Sequence, residues 1–353
     1  MRLPPPNKIL IIRLSSIGDI LLTSPVMWQL RERYPLAQID FLTRTEFSSL
    51  LATNPHLNNV LTLDTNLGKV ELEAMRSQIQ AAGYDIILDL HVNIRSLFLT
   101  RLKGSSPIMR MKKDKFARFA LVKMGIDLYA RLYGRSRTVA EKYLLAGEAL
   151  GLDSNEQRLE LWLPPEIESA EEERWKTLSS KGFHVAMAPG ARHFTKRWPE
   201  KKYAELITKL YEQQGWRTIL LGGPDERTLS ESIIAQLKDY SIIENLVGQL
   251  SLIESCALIK QAGLFVSNDS GLMHAAACFG IPQLAIFGST TLQLGFGPIN
   301  DRAAILENSD LGCRPCSHIG KSICPKGHFK CMNELTSDMA LHSLTNLSID
   351  GKA

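Results

Sequence analysis

Several features are missing from this chain of 353 residues, and each absence removes a class of protein. No stretch reaches the roughly 18 uncharged apolar residues that a membrane span needs. The opening Met1-Arg2-Leu3-Pro4-Pro5-Pro6 leads into a strand-length run rather than a long apolar segment, so a soluble, cytoplasmic chain without a secretory signal is expected. A net charge of +4 is too mild to argue for nucleic acid. Acidic residues are scarce in one place. Between Arg101 and Lys142 twelve Lys or Arg meet only three acids, at 114, 127 and 141, an excess of nine positive charges. That excess would attract an anionic partner or a lipid headgroup layer, with a solvated loop face as the alternative.

What is present is ordinary globular composition, 44% hydrophobic and 22% charged, at a length that suggests two domains. Apolar runs at Lys8 to Arg13, Gln38 to Thr43, Asn59 to Leu63 and Asp85 to Leu90 alternate with amphipathic stretches such as Val26 to Arg33 and Leu72 to Ala82. This is a βαβα rhythm. After Leu163-Pro164-Pro165 and an acidic helical run to Ser179 it resumes, with strands expected at 184–188, 217–221, 242–247, 263–267 and 283–287. The pattern predicts an α/β protein of two doubly wound, Rossmann-like domains, whose ligands sit beyond the carboxyl ends of the strands, in the cleft where the domains face each other. The expected boundaries are 1–168, 169–335 and a C-terminal helix or tail, 336–353, packing back on the first domain.

Three strand-to-helix turns carry candidate chemistry. The first, Arg13-Leu14-Ser15-Ser16-Ile17-Gly18-Asp19-Ile20, lacks the G-x-G-x-x-G of a dinucleotide site. Ser24-Pro25 makes a good helix start, which leaves Asp19 free to face a ligand unless it caps an earlier helical turn. The second, Pro189 to Pro199, sets Lys196 and Arg197 at a strand's end, where Lys196 suits phosphate and Arg197 either forks onto an anion or serves structure. After the next strand comes Gly222-Gly223-Pro224-Asp225-Glu226, and an acid there could accept ribose hydroxyls. The third, Asn268-Asp269-Ser270-Gly271-Leu272-Met273-His274, breaks a buried strand into a helix start whose open amides and dipole favour phosphate. His274 falls one turn after Ser270, on the same face, with a capped-helix histidine satisfied by a carbonyl as the alternative.

Taken together and in this order, Leu14 to Asp19, Lys196-Arg197-Trp198-Pro199, Asn268 to His274 and a terminal Cys-x2-Cys cluster resemble the ADP-heptose:lipopolysaccharide heptosyltransferases of glycosyltransferase family nine, and the heptosyltransferase II type most. The resemblance covers nearly the whole chain. It implies a GT-B fold and inverting transfer of L-glycero-D-manno-heptose from ADP-heptose to the inner core of lipopolysaccharide, a Kdo/heptose–lipid A acceptor. It implies Asp19 as the base and Lys196 as the cation opposite the departing diphosphate. It also implies a nucleotide-sugar site of Ser16, Gly18, Ala191, Arg192, Lys196, Glu226, Leu250, Asp269, Ser270, Gly271 and His274, with Leu250 on adenine, Glu226 on ribose and Asp269 on heptose hydroxyls. An unperturbed Asp, with a pKa of about 3.9, would be ionised but a weak base unless burial raises it.

Position and charge suggest Arg95, Lys112, Lys113, Arg118 and Arg137 for the acceptor's anionic groups, and peripheral contact with the anionic inner face of the inner membrane. No cofactor is expected for the chemistry. Cys313-x2-Cys316-x7-Cys324-x6-Cys331 would suit a structural zinc or iron, with free thiols or an occasional disulfide as the alternative. By resemblance, protein-modifying heptosyltransferases carry a cysteine-bound iron, which keeps a protein acceptor open. An epimerase or hydrolase of the same fold, and a silent ADP- or metal-binding scaffold, are the other readings. Cys256 and Cys278 read as core.

Overall fold

In the computed structural model the described residues are 4–103 and 106–350, with side chains to 347; Met1–Leu3 and the last three positions of the expected tail lie outside them. Contacts divide the chain into two compact units, Met1–Asp114 with Arg137–Leu163, and Lys115–Ser136 with Pro164–Ala353.

The first half of the chain carries strands β1 (Lys8–Ile12), β2 (Gln38–Arg44), β3 (Asn59–Leu63), β4 (Ile86–Asp89) and β5 (Ile108–Arg110). Its helices are α1 (Ile17–Leu21), α2 (Ser24–Arg33), α3 (Gly68–Ala82), α4 (Ile94–Leu99), α5 (Lys115–Met124), α6 (Leu128–Tyr133) and α7 (Val139–Ala146). The sheet is parallel throughout, in the order β3-β2-β1-β4-β5. Ile9 to Ile12 are fully buried because helices cover both faces of such a sheet, which is why β1 reads as an unbroken apolar run. Pro25 lies in the first turn of α2, where its missing N–H costs nothing. Helices α5 and α6 lie in the basic stretch and group with the second unit.

That second unit contains β6 (Phe183–Ala188), β7 (Arg217–Leu220), β8 (Ile243–Asn245), β9 (Leu264–Asn268), β10 (Gln283–Phe287) and β11 (Ala303–Glu307), parallel in the order β11-β10-β9-β6-β7-β8. The later helices are α8 (Pro165–Ser179), α9 (Glu200–Gln214), α10 (Arg227–Ile234), α11 (Leu252–Gln261), α12 (Gly271–Cys278), α13 (Lys330–Asn333) and α14 (Ser337–Asp350). Leu341 and Leu344 of α14 are buried in the same cluster as Val185, Met187, Trp198 and Tyr203, so the terminal helix belongs to the core of the second unit. It was expected on the first domain; its apolar face is used here instead.

Both sheets reverse their winding once, between β1 and β4 in the first unit and between β6 and β9 in the second. Ligand crevices of open α/β sheets form at the carboxyl ends of such strand pairs. The turns after β1, β4, β6 and β9 are therefore where a site is to be sought.

Candidate active site

In the first unit the turn after β1 runs straight into the short α1, with Ser16 at its N-cap and Asp19 three residues on. The Asp19 Oδ2 accepts from the Ser16 amide at 3.2 Å and the Ser16 hydroxyl at 2.9 Å, so Asp19 does cap an early helical turn. Its other oxygen has a different role. Oδ1 pairs with Arg13 Nη2 at 2.6 Å and accepts the Tyr143 hydroxyl at 3.1 Å. Arg13 is only 9% exposed and is spent elsewhere too, donating from Nε to the Ser15 carbonyl at 2.8 Å and from Nη1 to the Leu90 carbonyl at 2.7 Å. One guanidinium thus ties the end of β1, the end of β4 and the carboxylate together. Its plane lies over the Tyr143 ring, 5.4 Å from the centroid.

These contacts decide the protonation of Asp19. Burial pushes its carboxyl upward, but the Arg13 charge and the hydrogen bonds from Ser16 and Tyr143 more than offset burial and hold it below the ordinary carboxylate value. Asp19 is therefore ionised at neutral pH and less basic than a free carboxylate. The rise that burial alone would have produced does not occur.

The turn after β4 adds a residue that the sequence reading passed over. Asp89, fully buried, accepts the His91 amide at 3.1 Å, the Val92 amide at 2.8 Å and the Ser96 hydroxyl at 3.0 Å. This staple holds Val92 at φ 49°, a conformation a β-branched residue rarely adopts, of the kind found where a loop is shaped for use. His91 follows Leu90, whose carbonyl Arg13 clasps. Burial, then the charges of Arg13 and Lys113, then that of Arg95, drive the His91 pKa down to about 3 against the pull of Asp19, so the imidazole is neutral. Arg95 and Lys113, two of the expected acceptor contacts, are thereby brought to the Asp19 end of the sheet. Lys112 is exposed, and Arg137 Nε lies 3.4 Å from Glu141. Arg118 lies on α5 in the other unit, where it bears on His318.

In the second unit the turns after β6 and β9 meet. Asn268, fully buried, accepts the Trp198 amide at 3.0 Å and donates to the Pro189 carbonyl at 2.7 Å, stitching the two turns together. Across that stitch Lys196 Nζ pairs with Asp269 Oδ2 at 2.7 Å, and Thr290 Oγ1 donates to the same oxygen at 2.6 Å. Ser270 stands at the N-cap of α12, yet its hydroxyl makes no capping bond, so its side chain leaves the first amides of the helix uncapped. Gly271 opens that helix. His274, one turn on from Gly271, is 2% exposed. Arg197 Nε donates to the Ala191 carbonyl at 2.7 Å, a structural bond within the turn after β6. Arg192, Lys196 and Arg197 all bear on His193, adding to burial in lowering its pKa, which marks a cationic pocket edge. Arg192 is exposed there, and Ala191 is buried.

Glu226 lies against two glycines. A Cβ on Gly190 would fall 1.6 Å from its Oε1, and one on Gly222 2.4 Å from its Oε2, so only glycine admits the carboxylate here. It accepts the Gly223 amide at 3.1 Å, while burial raises its pKa. Leu250 is half-buried just before α11.

The cysteine loop buttresses this site. Thr195 donates its amide to the Lys321 carbonyl at 3.1 Å and accepts the Lys321 amide on its hydroxyl at 2.8 Å. Cys316 donates to the Ser289 carbonyl at 3.1 Å, and Arg314 binds the Phe287, Gly288, Thr290 and Asn308 carbonyls as well as Glu307. Burial, with the neighbouring thiols, raises the Cys331 pKa to about 11 although Arg314 opposes it, so the four cysteines sense one another. Their chemistry suits a soft metal, but among the described residues no three His, Cys, Asp or Glu side chains are arranged to hold one. Cys313 Sγ comes to 3.9 Å from His328 Nε2.

Comparison with known proteins agrees with this picture. The sequence model of glycosyltransferase family 9 (heptosyltransferase) matches residues 72–326. The chain is 24% identical to lipopolysaccharide heptosyltransferase 2 of Escherichia coli K12 over 362 residues, spanning 98% of this chain and 100% of that one. It shares its fold with the family 9 glycosyltransferase of Veillonella parvula DSM 2008, with TM-score 0.80, 22% identity and 98% of each chain covered. The dodecameric iron-containing heptosyltransferase TibC of enterotoxigenic E. coli H10407, solved with ADP-D-β-D-heptose, is similar at TM-score 0.61 and 15% identity, covering 99% of this chain and 78% of that one. The two parallel doubly wound units are thus of the GT-B type.

Proposed function

The chain belongs to glycosyltransferase family 9, the heptosyltransferases, and from that premise we propose that it moves L-glycero-D-manno-heptose from ADP-heptose, with inversion, to the Kdo/heptose inner core of lipopolysaccharide. The observation that carries this reading is the pairing of opposite charges with the two switch points. An ionised carboxylate, Asp19, lies in the turn after β1 in one unit; a lysine, Lys196, and the uncapped start of α12 follow β6 and β9 in the other.

Each half has a defined task. The acceptor oxygen bonds to the anomeric carbon as its proton passes to Asp19, while the bond from that carbon to the ADP oxygen breaks. Lys196, the Ser270 and Gly271 amides and the α12 dipole offset the charge that grows on the diphosphate. Asp269 holds Lys196 until the donor arrives, and then serves the heptose hydroxyls. Glu226 takes the ribose and Leu250 the adenine, with Ser16, Gly18, Ala191, Arg192 and His274 completing the donor site. Arg95 and Lys113, beside neutral His91, suit the acid groups of the acceptor, and Lys112, Arg118 and Arg137 are the further cations assigned to it.

No helix among the described residues is long and apolar enough to cross a membrane. Peripheral contact with an anionic membrane from the cytoplasmic side is the arrangement we propose. A structural zinc or iron at Cys313, Cys316, Cys324 and Cys331 is a separate proposal that takes no part in transfer. It is supported by the donor chemistry of four cysteines on one loop, of which no three are arranged to hold an ion among the described residues. Metal analysis of protein purified without added metal should find about one equivalent; four freely titratable thiols with little metal would dismiss it.

The test of the reaction is product analysis with ADP-heptose and truncated core lipid. One heptose added to the lipid is the expected product. Sugar on protein would move the acceptor class, free heptose or an epimer would indicate hydrolysis or epimerisation, and failure to bind ADP would leave a scaffold.

A further inference from the structure

The basic stretch differs from a solvated loop in what accompanies its charges. On α5, Ala120 and Leu121 turn inward at 2% and 8% exposure, while Phe116 at 75% and Phe119 at 55% stand in solvent. Residues 116, 119 and 123 are spaced one helical turn apart, so two phenylalanines and Lys123 occupy one side of the helix. Met124 at 62%, and Leu132 at 72% and Tyr133 at 59% on α6, extend the same character. Exposed large apolar side chains elsewhere among the described residues occur singly or in pairs. Here five fall within one short helical pair, beyond what a monomer surface ordinarily leaves in water.

The charges around them have one sign. Residues 115–136 hold Lys115, Arg118, Lys123, Arg131 and Arg135 against Asp127 alone, five minus one, a net +4. Asp127 is spent internally. Its Oδ1 accepts the Tyr129 amide at 2.9 Å and the Ala130 amide at 3.0 Å, capping α6, and its Oδ2 accepts the Ser136 hydroxyl. The single acid is thereby held against the start of α6, and every other charge of the stretch is cationic. On the cysteine loop of the same unit, Ile319 at 53% and Ile323 at 72% are also exposed, two residues either side of exposed Lys321.

Aromatic and aliphatic side chains that protrude among five lysines and arginines, with a single acid that caps α6, complement an anionic lipid surface. Rings and alkyl groups enter the boundary between headgroups and acyl chains, while the cations meet lipid phosphates. We propose that the outer faces of α5 and α6 are the surface by which this protein docks on an anionic bilayer. The proposal rests on the reading of the acceptor as lipid-linked. It adds the apolar component that charge counting could not supply, and it places the contact on the nucleotide-sugar unit rather than on the unit that carries Asp19.

The test is flotation of the full-length protein with vesicles of phosphatidylcholine alone or mixed with phosphatidylglycerol. Wild type should float with the mixed vesicles and not with the neutral ones. Phe116→Ser/Phe119→Ser and Lys115→Gln/Lys123→Gln should each bind about tenfold or more weakly, while transferring heptose to a soluble core oligosaccharide at the wild-type rate. A wild type that ignores anionic vesicles, a phenylalanine double variant that binds as wild type does, or a surface engaged only by a protein partner would overturn the proposal. Flotation needs no donor, so the two failures separate. Vesicle binding without any transfer would refute the functional reading alone, and transfer without flotation would refute the docking surface alone.

Discussion

Replacing Arg13 by Met tests how Asp19 is kept ionised. The wild-type pair is 2.6 Å apart, with side chains 11% and 17% exposed, so solvent screens it little. An opposite charge this close lowers a carboxyl pKa by roughly 1–3 units, and here it works against burial, which acts the other way. Without Arg13 the Asp19 pKa should rise by about that amount, since only Ser16 and Tyr143 remain to oppose burial. The acid limb of kcat/KM should then move upward from below the ordinary carboxylate value, toward neutral pH. Breaking a largely buried pair also costs about 3–5 kcal/mol of stability, and the Ser15 and Leu90 carbonyls lose their donor. The sign agrees with linkage. A folded pKa below the unfolded one stabilises at neutral pH, and that contribution is lost only as pH falls below about 4 toward the folded value. Coupled ADP-release profiles of wild type, Arg13→Met and Arg13→Lys read the effect directly. Arg13→Lys should keep a flat acid side with a lower kcat, because an ammonium cannot span all three acceptors. A flat profile for Arg13→Met, or an acid limb near pH 6 in wild type, would refute the reasoning.

Two further substitutions probe the other turns. Lys196→Met should lower kcat/KM by about 10²–10³, the usual cost of losing one preorganised partner of a developing negative charge, and leaves Asp269 with Thr290 alone; unchanged transfer would remove Lys196 from the leaving-group role. His91 is neutral in the fold with a pKa of about 3, whereas the unfolded chain takes up its proton near pH 6.5. Stability should therefore fall as pH drops through that window. At pH 5 the loss is up to about 2 kcal/mol. His91→Asn should escape it, so denaturation curves of the two proteins should converge from pH 8 to pH 5, and parallel pH dependence would contradict the assignment.

The strands were legible where burial is two-sided. β1, β9 and β10 appear in the sequence as largely apolar runs because helices cover both faces of their sheets. β5, three residues with a charge at one end, is too short to stand out, and β11, an apolar run from Ala303 to Leu306 that is only partly buried at the sheet edge, was missed as well. The turns after β1, β6 and β9 could be found because Asp19, Lys196 and the Asn268 to His274 stretch punctuate strand ends with groups that core packing does not want. Their partners were harder to see. Arg13 and Asp89 close otherwise apolar strands, and a charge in such a place must be paired, which was the available hint. Tyr143 reaches Asp19 from 124 residues away, and no local pattern encodes that. The grouping of residues 115–136 with the second unit likewise depends on contacts rather than composition. The depressed pKa of His91 depends first on burial and then on three cations, all of which it meets only after folding.

The central claim, that Asp19 accepts the proton of the acceptor hydroxyl, is tested most directly by Asp19→Asn. ADP-heptose affinity by calorimetry and turnover by coupled ADP release would be measured on the same preparation, the binding also serving as proof of fold. The account predicts binding within a few-fold of wild type and turnover reduced by about 10³ or more. Near wild-type turnover with binding intact would contradict it.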